Sequence, residues 1–150
     1  MATDRREFIK KSLYAVLSML GLGFLLPAVR LLAPSGTKER ELVFFPLMSE
    51  DDAPRKGVRK AELTYAVAGA ERKMRVFLVA SAGELTVFSA VCSHLGCLVN
   101  FHKEKQEFVC PCHGGRYDLS GKNIAGPPPA PLSKLPLKRE KGMLLVGVRA

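Results

Sequence analysis

No segment of this 150-residue chain repeats at a fixed period, which excludes solenoids and propellers. After residue 40 there is no long apolar pattern of period 3.6, so most of the chain is not a helix bundle. Cysteine is scarce: four in all, every one between Cys92 and Cys112. Acidic residues are the minority, 14 against 23 Lys and Arg, and the formal net charge is +9. Such a balance points to nucleic acid or to an anionic membrane. The distribution argues against nucleic acid. Residues 1–40 hold seven basic against three acidic residues, and beyond them the signs are interspersed. Arg55, Lys56, Arg59 and Lys60 form the densest later cluster, a run short enough to read first as solvated surface and second as a docking patch for an acidic partner.

The N-terminus has one long apolar run. Leu13–Val29 is seventeen residues without a charge, at the lower limit for a membrane-spanning helix. Arg30 can snorkel and let Leu31 and Leu32 extend the span. Arg5, Arg6, Lys10 and Lys11 precede it, the excess expected on the cytoplasmic side. The stretch DRREFIK resembles the bacterial twin-arginine export signal, which serves proteins exported already folded. Small residues are scarce after the run, and PAVRLLAP offers no Ala-x-Ala cleavage site. Residues 1–32 are therefore expected to be a basic segment and an uncleaved anchor, and 33–40 a flexible linker rich in turn residues.

Residues 41–150 have strand character. Glu41–Phe45, Glu62–Val67, Arg75–Ala80, Leu85–Val91, Glu107–Cys110 and Met143–Val148 are short runs rich in Val, Phe, Leu and Thr. Ser81-Ala82-Gly83, Ser120-Gly121-Lys122 and Lys141-Gly142 are turn signals. The pattern predicts an all-β domain, a small antiparallel sandwich or barrel. Met74, Phe77, Phe88, Phe108 and Met143 are expected in its core, and His102 on its surface.

All four cysteines and two of the three histidines fall in CSHLGC (Cys92–Cys97) and CPCHGG (Cys110–Gly115). Cys92-x-His94 and Cys110-x-x-His113 each follow a predicted strand, so two adjacent loops could present two thiolates and two imidazoles to one site. That donor set suits zinc or iron–sulfur. Against zinc, the pairs are mixed rather than two Cys then two His. Cys97 and Cys112 also lie in the same loops.

CSHLGC with CPCHGGRYD resembles the two cluster-binding loops of the Rieske iron–sulfur proteins of cytochrome bc (bc1/b6f-type) complexes. The resemblance implies one Rieske-type [2Fe–2S] cluster per chain, with two His on one iron. Cys92 and Cys110 would hold the buried iron, His94 and His113 the outer one, and Cys97 and Cys112 would form a disulfide between the loops. Gly96 and Gly114 would let the backbone pass close to the cluster, Leu95 would shield it, and Tyr117 would bond a ligand sulfur. GPPPAP (Gly126–Pro131) resembles the family's proline-rich third loop. One position departs: relatives usually carry Ser, bonded to a bridging sulfide, where this chain has Gly115. That predicts a lower potential and a low-potential quinol such as menaquinol.

Functionally the resemblance implies the electron-transfer subunit of a membrane quinol–cytochrome c (or plastocyanin-like acceptor) oxidoreductase, not catalytic alone. The partners would be a cytochrome b-type subunit, a c-type cytochrome and quinol, which would contact His113. The chain would cross the bacterial inner membrane once, N-terminus cytoplasmic and Rieske domain on the outer face. Its potential would fall at alkaline pH as the histidine ligands lose protons. The alternative is the small Rieske subunit of an arsenite-oxidase-like molybdenum enzyme. A soluble Rieske ferredoxin fits less well, because those proteins lack the extra cysteine pair.

Overall fold

The computed structural model describes residues 4–32, 41–67 and 69–149. The residues predicted as a linker, 33–40, lie outside them. The N-terminal unit and the unit that follows are separate bodies. The first holds helix α1 (Arg5–Leu32), none of whose residues is buried. Asp4 caps it, its carboxylate accepting from the Arg6 amide and its carbonyl from the amides of Glu7 and Phe8. The helix is long and apolar enough to cross a membrane.

The second unit is all antiparallel β. Strands β1 (Leu42–Ser49), β10 (Leu137–Glu140) and β11 (Met143–Arg149) form a sheet in the order β1-β11-β10. Strands β2 (Gly57–Val67), β3 (Ala70–Ser81), β4 (Glu84–Ser89) and β9 (Lys134–Leu135) form a second in that order. A third, smaller sheet contains β5 (Asn100–His102), β6 (Glu107–Val109), β7 (Arg116–Tyr117) and β8 (Asn123–Ala125).

Strand β3 explains how three sheets share one body. Its end, Val76–Ala80, is buried continuously, as a strand covered on both faces must be. Val76 and Leu78 point into one core with Leu63, Val87, Leu144 and Val146. Phe77 and Val79 point the other way, into a core with Phe88, Phe108, Cys92, Cys110 and Tyr117. The pleat alternates successive side chains between faces, and the register Phe77↔Phe88, Leu78↔Val87 repeats the division on β4. The second core therefore ends in the cysteine loops, and Cys92 and Cys110 are part of it.

All six predicted strands are present, with shifted ends. Phe77, Phe88 and Phe108 are buried, Met74 packs at the edge of the first core, and His102 is exposed. Met143 is a correction: it is 37% exposed rather than core. It opens β11 opposite Ser49 and Glu140, beside the turn, and the inward face falls to Leu144 and Val146.

Candidate metal centre

The two cysteine loops are built alike. In the first, the Cys92 amide donates to the Cys97 carbonyl at 2.8 Å and the Gly96 amide to the Cys92 carbonyl at 3.1 Å. In the second, the Cys110 amide donates to the Gly115 carbonyl at 2.8 Å and the Gly114 amide to the Cys110 carbonyl at 3.1 Å. Each loop thus turns back on its first cysteine and places a glycine four residues on. Gly96 and Gly114 have φ of +76° and +67°, where side-chain-bearing residues are strained. A Cβ on either would have open space around it, so among the described residues the backbone conformation alone calls for glycine here. Below the second loop, Arg116 makes a two-pronged pair with Glu107, both bonds 2.8 Å, across β6 and β7.

The fold brings together all six residues that the sequence singles out. A disulfide joins Cys97 to Cys112, tying one loop to the other. Cys92 and Cys110 are free thiols, 3% and 1% exposed. The rings of His94 and His113 meet edge to face at 5.0 Å. His113 is exposed and His94 half-buried. The Nδ1 of His94 is buried without a hydrogen-bond partner among the described residues, an arrangement that costs free energy unless something else satisfies it. Leu95 stands out at the tip, 70% exposed. Cys110 lies close to both disulfide sulfurs, but bridged sulfurs carry no thiolate, so that trio is not a ligand set.

Tyr117 and Ser93 surround the first thiol. The Tyr117 hydroxyl lies 3.2 Å from Cys92 Sγ, and the Ser93 amide donates to it at 3.2 Å. Ser93 Oγ is also 3.2 Å from that hydroxyl and donates to the Ala130 carbonyl at 2.5 Å. Burial works to raise the Cys92 thiol, but hydrogen bonds from Tyr117, the His94 backbone, Cys110 and the Leu95 backbone together leave it below its ordinary value. Burial first, then the bond to Cys92, hold the Tyr117 phenol above its own. Sequence reasoning missed Ser93 because its partners lie 24 and 37 residues away.

Residues 45–136 match the Rieske [2Fe–2S] domain family. The cytochrome b6-f complex iron–sulfur subunit of Chlorobaculum tepidum is 31% identical over 97% of this chain and 76% of its own length. The menaquinol:cytochrome c reductase iron–sulfur subunit of Bacillus subtilis is 31% identical over 96% of this chain and 91% of its own. A solved structure described as hyperthermophilic respiratory Complex III aligns with 91% of this chain and 98% of the matched one, at 28% identity and a TM-score of 0.46.

The residues present fit a [2Fe–2S] group with mixed ligands. Two buried free thiols lie in one core cluster, one of them biased toward the thiolate that binds iron. Two imidazoles stand together, and the buried nitrogen of His94 has no partner among the described residues.

Proposed function

The chain belongs to the Rieske [2Fe–2S] family, and we propose that Cys92 and Cys110 hold one iron of its cluster and His94 and His113 the other. The observation that carries this reading is the unpartnered, buried His94 Nδ1 beside His113, in loops whose remaining cysteines are already joined to each other. Bound there, the cluster supplies a one-electron acceptor. Replacing two thiolates by neutral imidazoles makes it less negative and raises its potential.

The protein is the Rieske subunit of a membrane quinol–cytochrome c oxidoreductase. Helix α1 anchors it with the N-terminus in the cytoplasm, which follows from Arg5, Arg6, Lys10 and Lys11 before the span. His113 is exposed at the tip, where it can accept a hydrogen bond from a quinol hydroxyl and take its proton as the electron leaves. Leu95 covers the approach beside it. A cytochrome b-type subunit presents the quinol, and a c-type cytochrome receives the electron. Menaquinol is the favoured substrate, supported by Gly115 and by the function named for the Bacillus subtilis relative. Both relatives match nearly the whole chain, anchor included, and both are named as subunits of such complexes, which leaves the molybdenum-enzyme reading without support.

The test is electron paramagnetic resonance and quinol-dependent cytochrome c reduction in membranes holding the full complex. The native chain should show a Rieske signal. His113→Ala should lose both that signal and turnover. A variant that keeps an unchanged signal would remove His113 from the ligand set.

A further inference from the structure

Pro128 is buried, whereas its neighbours Pro127 and Pro129 are exposed. Its ring stands where a side chain on residue 115 would go. A Cβ on Gly115 would lie 2.5 Å from Pro128 Cγ, 3.0 Å from its Cδ and 3.6 Å from Cys110 Cβ, where carbon atoms at rest keep about 3.5–4.0 Å. Gly115 is not among the left-handed glycines, so space rather than backbone conformation demands glycine there. Gly126 closes the gap from the other side. A Cβ on it would meet Gly115 Cα at 2.8 Å and the Gly114 carbonyl oxygen at 3.0 Å, and its φ is +88°. Two loops eleven residues apart in sequence therefore touch backbone to backbone, with the Pro128 ring of one packed where a side chain at 115 of the other would go. A proline ring has almost no freedom to turn aside.

We propose that Pro128 is a positioning residue for the second cysteine–histidine loop. Its ring fills the place of the missing side chain at 115 and presses the loop into shape. Gly115 passes that constraint to Cys110 through the 2.8 Å bond from the Cys110 amide to its carbonyl. The proposal rests on the reading of Cys110 and His113 as iron ligands. Pro128, and not the proline run as a whole, sets how Cys110 meets the iron.

A double-mutant cycle on the full-length, cluster-loaded chain tests this. Gly115→Ala should release the cluster about tenfold faster in a timed hold at raised temperature, the scale of overpacking in a tight contact. Pro128→Ala alone should also release the cluster faster, by about two- to threefold, and the double variant should release it no faster than Pro128→Ala alone, cancelling most of the Gly115→Ala loss. Pro129→Ala should not rescue. If Gly115→Ala fails to fold, the midpoint potential decides: Pro128→Ala should shift it and Pro129→Ala should leave it unmoved. Additive effects, equal rescue by Pro129→Ala, or a midpoint insensitive to Pro128 in a cluster-loaded protein would overturn the positioning role alone. A native chain with no [2Fe–2S] spectrum would overturn the ligand reading and this proposal with it.

Discussion

The Tyr117 hydroxyl lies 3.2 Å from the sulfur of Cys92, on a fully buried ring whose strand begins one residue after the second cysteine loop. One phenol thus links both loops: its backbone continues from Gly115, and its oxygen meets Cys92 and Ser93. A hydrogen bond to a sulfur ligand offsets part of the charge that an added electron brings. Tyr117→Phe should therefore lower the midpoint potential. A hydrogen bond to a charged partner contributes about 1.5–3 kcal/mol, which for one electron is about 60–130 mV. Protein-film voltammetry on the cluster-loaded protein measures it, and an unchanged midpoint would contradict the role given to this bond.

The same bond has a consequence in the metal-free protein. Cys92 is held below the ordinary thiol value of 9.0. A depressed thiol contributes stability above its unfolded value and loses it as pH falls through the folded one. Tyr117→Phe removes the largest of the contributions that lower Cys92. The variant should form its Cys92 thiolate at a higher pH than the native apo-protein, seen as a later rise of thiolate absorbance in a titration kept below pH 9. Coincident titrations would show that the hydroxyl does not favour the thiolate.

The Cys97–Cys112 bridge spans a sequence separation of 15. Closing a loop of that length restricts the unfolded chain by about 3 kcal/mol. Cys112→Ala should lower the stability of the cluster-loaded domain by an amount of that order, read from thermal or denaturant unfolding. The cluster should also leave more readily, since the two loops then lose their covalent tie. A variant as stable as the native chain would make the bridge incidental.

Gly96 and Gly126 separate backbone strain from steric clash. Gly96 has φ +76° and open space around it, so Gly96→Ala should cost only about 1–2 kcal/mol, the strain of a left-handed residue. Gly126→Ala adds a clash with the Gly115 backbone at 2.8 Å to the same strain. It should be the more damaging by at least about 1 kcal/mol in denaturant unfolding followed by circular dichroism. Equal costs would mean that the third loop yields.

Much of this was legible in the sequence because it is local. The spacing of Cys92, His94, Cys110 and His113 lies within two short runs, and residues this close to strand ends share one edge of the fold. Five of the six strands that were found have six or more residues, enough to show alternation; the sixth, β6, has three. Strands β5, β7, β8 and β9 have two or three, too few to show any period, and each exists through its partners. Met143 was misplaced because apolar character marks the strand and not the face. Ser93, and the particular part Pro128 plays within GPPPAP, were silent for a different reason. Their meaning lies in Ala130 and Gly115, positions that only the folded chain brings beside them.

The anchor follows from length and charge together. Leu13–Leu32 is a twenty-residue stretch within α1, about 30 Å at helical rise, which equals the hydrocarbon thickness of a bilayer. Pro27 lies inside it. A proline there removes one backbone bond, and membrane helices accommodate this through local adjustment of the helix. Arg30 sits in the last turn, close enough to the far interface to snorkel. Leu22 falls near the middle. Leu22→Arg should disfavour the span by about 3 kcal/mol and shift the chain from the membrane pellet to the soluble fraction, or lose it from the assembled complex. Leu22→Ile should do neither. With no Ala-x-Ala site after the span, the mature chain should keep its N-terminal segment, and intact mass spectrometry of the membrane-extracted protein reads this directly. A mature chain beginning near residue 36 would show that the helix is a removed signal and that membrane attachment comes from the partners instead.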